Sequence, residues 1–299
     1  MSRRHLFMLL VLSAIWGSSF MFIKVGVREL EPATLVFGRL LLAFVTLALV
    51  VPHRMGISEA VATMRVELKP LAVTALLNTA IPFWLLAWGE TRIDSGLAAV
   101  LQAAAPLFTA LLAWRFFHSE RIGGRRLAGV VVGFGGVALL VGATPSGSVL
   151  GALAVVGASF CYAASALYAG LRLSHVPPLV VALGTTALGA LFSAPAGLAQ
   201  LPSSTPSWKV IGSVVTLGVL GLGVAYVMYF GIIANAGASR AILVTYLVPP
   251  MALLYGVTIL GEPLKATAIG GLALILGGVA LGTGGLATRR REAPDSAPA

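Results

Sequence analysis

The sequence predicts an all-α integral membrane protein with ten transmembrane helices, arranged as two inverted repeats of five helices. The first observation behind this fold class is the composition, because 58% of the 299 residues are hydrophobic and only 10% are charged. Soluble domains carry about 25% charged residues. The other two observations are the length of the apolar segments and a repeat between the two halves of the chain. The composition therefore excludes a soluble globular domain.

Ten apolar segments follow one another along the chain, and each approaches the roughly 20 residues with which a helix crosses a bilayer. Short connections containing proline, glycine or charged residues separate them, and they lack the polar–apolar alternation of a β-barrel. The predicted spans are residues 6–27, 32–51, 68–89, 95–117, 124–143, 149–171, 177–199, 208–234, 239–260 and 266–287. Residues 289–299 form a polar tail that we expect to be disordered.

The basic residues predict the orientation of the chain. Most of the 20 lysine and arginine side chains lie at one end of the predicted spans, and few lie at the other. Because cytoplasmic loops are rich in lysine and arginine, both termini are predicted to face the cytoplasm, which agrees with an even number of spans. We therefore expect a multi-pass protein of the cell (inner) membrane. The lipid bilayer, and not a nucleic acid, is the expected partner of this basic chain.

An internal repeat divides the chain into two halves. Residues 135–139 (GGVAL) recur as residues 277–281, and Gln102-x-x-x-Pro106 recurs as Thr245-x-x-x-Pro249. Five spans per copy is an odd number, so the second copy must enter the membrane from the opposite side. Inverted repeats of this kind place a solute site at their interface. We predict a first repeat at residues 1–145 and a second, inverted repeat at residues 146–288.

Several motifs carry a resemblance to a known family. They are the segment 16–20 (WGSSF) in the first span, Glu31-Pro32, Arg39 in the second span, and Gly261-Glu262 before the last span. With these motifs, residues 6–288 resemble the EamA-type drug/metabolite transporter superfamily. The resemblance implies export of solutes from the cytoplasm. Length and overall pattern are also similar to bacterial exporters of aromatic amino acids and amphiphilic drugs.

Polar and aromatic side chains inside the predicted spans are candidate contacts for a substrate. They are Trp16, Ser19, Arg39, Asn78, Gln102, Tyr162, Thr245 and Tyr246. A charge at the depth of Arg39 normally faces a protein interior or a wet cavity. Arg39 either contacts a substrate anion or forms a structural pair with Glu90 or with backbone carbonyls. Lys24, one turn from the end of its span, either extends to the lipid headgroups or contacts the substrate.

Prolines inside the spans predict hinges, because each removes a backbone hydrogen bond. The candidate hinge residues are Pro82, Pro106, Pro249 and Pro250. Gln102 and Thr245 lie four residues before a proline, so their carbonyl groups are freed. These breaks either let lining helices bend during transport or are simple packing kinks.

Carboxylates and histidines are missing from the middle of the predicted spans. The single cysteine, Cys161, allows no disulfide. We therefore expect no metal, no cofactor and no catalytic residue. The absence of these groups favours facilitated transport, as by a uniporter. The alternative is proton coupling through Glu90 or Asp94 at the end of a span.

The leading hypothesis is a secondary transporter that exports small organic solutes, with aromatic amino acids and amphiphilic drugs as expected substrates, by alternating access. A carrier of nucleotide sugars or sugar phosphates is the alternative, but phosphate groups favour two or more basic residues at mid-membrane and only Arg39 lies there. A non-transporting intramembrane enzyme or receptor-like scaffold is the alternative of another class. The sequence allows a monomer or a homodimer.

Overall fold

The computed structural model describes residues 3–116 and 124–282, and these residues form helices without any strand. The tail at residues 289–299, predicted to be disordered, lies outside the described residues. Seven described helices are long and apolar enough to cross a membrane, and three further apolar helices are shorter. In chain order, spans 1 to 10 are Arg4–Gly26, Pro32–His53, Leu68–Glu90, Ser95–Phe116, Leu127–Gly142, Val149–Arg172, Pro178–Ala199, Trp208–Ala236, Leu243–Thr258 and Ala266–Leu281. The predicted fold class is confirmed.

Successive spans run in opposite directions, so the bundle has two chemically different ends. Arg54, Arg115 and Arg172 are exposed at one end, which we call the basic end. An additional short helix, Ile57–Val66, connects spans 2 and 3 there. Glu90 and Glu262 lie at the other end, which we call the opposite end.

Spans 3 and 8, which occupy equivalent places in the two repeats, both contain a π-helical segment. The segments are Leu76–Ala80 and Thr216–Val224. Such segments interrupt the regular α-helical hydrogen bonding and occur often at functional sites. In span 3 the segment ends just before Pro82, whose missing N–H cannot bond to the carbonyl of Asn78. Neither segment was expected from the sequence.

The predicted hinges differ in their local structure. Span 4 is interrupted at residues 103–104, between the helices Ser95–Gln102 and Ala105–Phe116, so the break lies directly before Pro106. Span 9 instead continues as one helix, Leu243–Thr258, through both Pro249 and Pro250. There the interruption lies at Ile242, before the prolines. The two prolines nevertheless leave the carbonyls of Thr245 and Tyr246 without intrahelical partners.

Glycines bring spans 5 and 10, the last spans of the two repeats, into backbone contact. A Cβ atom added to Gly278 would lie 2.5 Å from the carbonyl oxygen of Gly129 and 2.5 Å from the nitrogen of Gly133. A Cβ atom added to Gly136 would lie 3.0 Å from the carbonyl oxygen of Gly271. Only small residues allow helices to approach this closely. The glycine motifs of both repeats thus pack against each other inside the molecule.

Candidate solute cavity

A cavity of about 780 Å³ lies at the centre of the bundle, between the two repeats. Its volume is within the range of pockets that hold small organic molecules. Seven of the eight predicted contact residues line it together: Trp16, Ser19, Arg39, Gln102, Tyr162, Thr245 and Tyr246. The hinge residues Pro106 and Pro249 also line it. Asn78, Pro82 and Pro250 do not.

The cavity extends toward the basic end. Span 4 lines it from Ala99 to Ala113, and span 9 lines it from Ile242 to Pro249. Ile242 is exposed, whereas Ser95, at the opposite end of span 4, is fully buried. As formed by the described residues, the cavity is therefore open toward the basic end and closed at the opposite end.

Arg39 is the charged side chain on the described part of the cavity wall. It is only 4% exposed, and its guanidinium carbon lies 4.1 Å above the centroid of the Phe83 ring. No carboxylate of the described residues lies within the 4 Å of an ion pair, and its Nε atom makes no hydrogen bond. The structure thus contains no Arg39–Glu90 ion pair. Arg39 is a buried cation, held against a ring, with no anion beside it.

Aromatic rings share the cavity wall with this cation. The Tyr162 and Phe83 ring centroids lie 6.4 Å apart, and Tyr226 lines the same cavity. The Trp16 indole donates a hydrogen bond of 3.0 Å to the carbonyl of Gly221, within the π-helical segment of span 8. This bond crosses from one repeat to the other and fixes the indole on the wall.

A second polar group on the wall also lacks a partner. The Oε1 atom of Gln102 is buried and makes no hydrogen bond, next to the interruption of span 4. Buried acceptors without a partner are rare in proteins. Gln102 thus adds an amide oxygen without a partner to the wall that also holds the Arg39 cation.

Sequence reasoning missed several wall residues, among them Phe83 and Tyr226. Phe83 stands beside Trp84 and Trp88, whose rings stack with centroids 6.0 Å apart. Helical spacing of Phe83 with Leu86 and Glu90 could have distinguished the buried face. Asn78 lies behind the wall, where its side chain neighbours the Tyr226 hydroxyl.

Contacts between the repeats close the opposite end. The Glu262 carboxylate accepts hydrogen bonds from the Ser95 amide at 2.8 Å, the Ser95 hydroxyl at 2.9 Å and the Gly96 amide at 3.1 Å. We call these three residues the latch. A carboxylate at a helix N-terminus satisfies its free N–H groups and complements its dipole. A residue of the second repeat thereby caps span 4 of the first.

Lys24 makes another contact at this end, one that neither sequence interpretation predicted. Its ammonium donates 2.7 Å hydrogen bonds to the carbonyls of Glu90 and Ile93, and so ties span 1 to the turn between spans 3 and 4. Lys24 therefore contributes to closing this end. Lys265 lies at the same end and forms an exposed ion pair with Asp94 at 3.7 Å.

Glu29 caps span 8 much as Glu262 caps span 4. Its carboxylate accepts hydrogen bonds from the Ser207 amide at 2.7 Å and the Ser207 hydroxyl at 2.6 Å. Donation from the Ser207 hydroxyl and amide lowers the pKa of Glu29 below its ordinary value. Each repeat therefore supplies a carboxylate that caps a helix of the other.

Comparison with known proteins identifies the family. The model of the EamA-like transporter family matches residues 3–142 and, a second time, residues 149–283. The chain belongs to the EamA-like transporter family. The two matches correspond to the two halves of the bundle, and the family accounts for a membrane transporter with ten helices. This EamA-like transporter is a multi-pass membrane protein.

Two curated relatives cover almost the whole chain. The "Probable terminal-alkyne amino-acid exporter" of Streptantibioticus cattleyicolor is 32% identical, over 95% of this chain and 95% of its own length. The "Probable amino-acid metabolite efflux pump" of Salmonella typhimurium is 26% identical, over 97% and 98%. A solved structure matches 95% of this chain and 97% of its own, with a TM-score of 0.65 at 20% identity. That match supports the fold alone.

Proposed function

We propose that this EamA-like transporter exports amino acids, aromatic ones above all, and amphiphilic drugs across the cell (inner) membrane by alternating access. The single observation that carries the proposal is Arg39, a cation buried on the cavity wall with no described carboxylate within ion-pair distance. A buried charge is costly unless it is paired. A solute that brings a carboxylate supplies the missing partner.

The other polar group on the wall supports an amino acid in particular. A free amino acid carries an ammonium group beside its carboxylate, and the unpartnered oxygen of Gln102 on the wall can accept from it once the side chain turns toward the cavity. Arg39 and Gln102 thus complement the two charges of one zwitterion. The wall carries no carboxylate among the described residues, so a cationic drug would depend on ring contacts instead.

The rings around Arg39 favour a flat or aromatic solute side chain. Phe83, Tyr162 and Tyr246 expose ring surface to the cavity together with Trp16. Aromatic pairs contribute about 0.5–1.5 kcal/mol beyond the burial of their area. Aromatic amino acids should therefore bind better than aliphatic ones of similar volume.

The opening of the cavity agrees with loading of the solute from the cytoplasm. It faces the basic end, which the excess of arginine and lysine predicts to be cytoplasmic. A cavity open to the cytoplasm is loaded there and releases its solute after the other end opens. Nucleotide sugars fit the cavity less well, because Arg39 is the one basic residue on its described wall.

Counterflow in proteoliposomes tests the proposal. Vesicles preloaded with unlabelled phenylalanine should accumulate labelled phenylalanine, and external aromatic amino acids should compete better than leucine or a nucleotide sugar. Arg39→Gln should abolish this exchange. Arg92→Gln is the matched control, because Arg92 also stacks on a ring, at 3.6 Å from Trp88, but lies exposed outside the cavity. Full exchange by Arg39→Gln, or exchange of none of these solutes by the wild-type chain, would contradict the proposal.

A further inference from the structure

The carboxyl group of Glu90 has no role in the site described so far. Glu90 ends span 3 at the closed end, and its side chain is completely buried. Both oxygens of its carboxyl group lack a hydrogen-bond partner. A buried ionised carboxylate without hydrogen bonds is far more costly than the neutral acid.

Two cations lie near Glu90, but neither pairs with it. The Lys24 ammonium bonds to the backbone carbonyl of Glu90 instead of its carboxyl group, and Arg39 is stacked on Phe83. No ion pair within 4 Å involves Glu90 among the residues that the structure describes. Both cations therefore favour the ionised form without contacting the carboxyl oxygens.

The remaining neighbours of Glu90 favour the neutral acid or have no charge. Glu262, which reaches this region from the second repeat, is itself a carboxylate and repels a second negative charge. From span 6, Val155 and Gly151 pack against Gly89 and carry no charged group. The closed end thus encloses a completely buried Glu90 carboxyl group without a hydrogen-bond donor, while the charges around it act in both directions. Such surroundings suit a carboxylic acid.

Opening of this end would reverse the preference of Glu90 for the neutral acid over the ionised carboxylate. Water that enters between the repeats can hydrate the carboxylate, and Lys24 and Arg39 then stabilise its negative charge. The open form therefore favours ionised Glu90, whereas the closed form favours the neutral acid. The difference between these two forms links one proton to the conformational change.

We propose that Glu90 is a proton-binding site, which takes up a proton from the adjacent aqueous phase when this end closes and releases it when this end opens. The proposal rests on the alternating access of the proposed function, but it concerns a different group and a different ligand. Acidification should favour the form that is open to the basic end. Solute exchange should consequently slow as the pH falls, by at most about tenfold per pH unit because one proton is involved.

Infrared spectroscopy tests the protonation state directly. The purified wild-type chain at neutral pH should show the carbonyl stretch of a protonated carboxylic acid. Glu90→Gln should lack this band, and Glu90→Asp should shift it. Glu31→Gln, which changes an exposed carboxylate at the same end, should retain it. Absence of the band from the wild-type spectrum would overturn the proposal, and this result does not depend on whether any variant folds.

Counterflow at several pH values tests the link to transport. Wild type and Glu31→Gln should exchange solute more slowly as the medium is acidified. Glu90→Gln, which resembles the permanently protonated group, should be slow at every pH. Identical pH profiles in wild type and Glu90→Gln would overturn the link. If no solute is exchanged at all, the proposed function fails, while the infrared band still decides whether Glu90 holds a proton.

Discussion

The carboxylate of Glu262 accepts both the amide N–H and the hydroxyl of Ser95, although the two residues are separated by 167 positions and belong to different repeats. Ser95 begins span 4, the helix that is interrupted beside the cavity. The hydrogen bonds therefore hold the start of a lining helix against the opposite repeat. Any opening of this end that moves span 4 away from the connection between spans 9 and 10 must break them.

Removal of the Glu262 carboxylate should loosen the closed end. Glu262→Ala leaves the amides of Ser95 and Gly96 without acceptors, at a cost of about 1–3 kcal/mol. Hydrogen exchange at the start of span 4 should then accelerate by about 5- to 150-fold. Lys265→Ala removes only the exposed pair with Asp94 and should change little. Unchanged exchange in Glu262→Ala would show that the latch does not hold this end.

Loss of the ring beneath Arg39 should weaken solute binding. Phe83→Leu keeps an apolar side chain but removes both the ring that holds Arg39 and a ring–ring contact of about 0.5–1.5 kcal/mol with an aromatic solute. The KM of an aromatic amino acid should rise by about two- to twelvefold, while that of leucine, which has no ring, should rise less. Trp84→Leu is the control, because Trp84 is the next residue and its ring is exposed outside the cavity. Equal effects of the two substitutions on KM would refute the assignment.

Adjacent glycines of span 10 should respond differently to substitution. A Cβ atom at Gly278 meets the backbone of Gly129 and Gly133, whereas a Cβ atom at Gly277 meets nothing within 4 Å. Gly278→Ala should destabilise the protein by about 1–3 kcal/mol, since the clash is with backbone. Gly277→Ala should be neutral or stabilising, because alanine favours helices by up to about 1 kcal/mol over glycine. Thermal unfolding in detergent measures both.

The pair formed by Glu29 and Ser207 should make stability depend on pH. The pKa of Glu29 is lower in the folded protein than in the unfolded chain. The contact with Ser207 therefore stabilises the folded protein fully at pH values above the ordinary glutamate pKa of about 4.3. This stabilisation is lost as the pH falls through the lower pKa of the folded protein. Glu29→Gln should therefore lose less stability than wild type on acidification. Glu31→Gln should follow wild type, since Glu31 makes no side-chain capping bond. Parallel Tm profiles for wild type and Glu29→Gln would argue against the contact.

Reporter fusions test the predicted orientation. Fusions at Ser2, Thr63, Arg121 and Asp295 should report a cytoplasmic location, and a fusion at Ser146 an extracytoplasmic one, because the basic end is predicted to face the cytoplasm. A cytoplasmic signal at Ser146 would contradict the inverted arrangement. The opposite signals at all five positions would reverse the direction in which the cavity opens.

The sequence could predict those features that depend on the residues of a single segment. The ten apolar helices follow from length and hydropathy, and residues such as Trp16 and Gln102 on the wall follow from polarity inside a span. The break before Pro106 follows from a missing N–H group. The same rule does not locate the break near span 9, because the helix accommodates Pro249 and is interrupted seven residues earlier, at Ile242.

Features that depend on distant contacts were not predictable. Lys24 bonds to carbonyl groups in another span, and nothing in its own helix indicates which backbone atoms lie within reach. The burial of Glu90 depends on how span 3 is rotated about its axis, and a residue at the end of a span can face water or protein. The latch likewise requires the docking of the two repeats, which no single segment encodes.

The backbone contact between spans 5 and 10 has a consequence for how such a chain can change over evolution. These two spans contribute only Leu276 to the described cavity wall, so the residues that hold the halves together and the residues that meet the solute form nearly separate sets. Substitutions on the wall can alter solute preference while the glycine contact keeps the scaffold intact. New specificities can therefore arise on this architecture without a corresponding loss of stability.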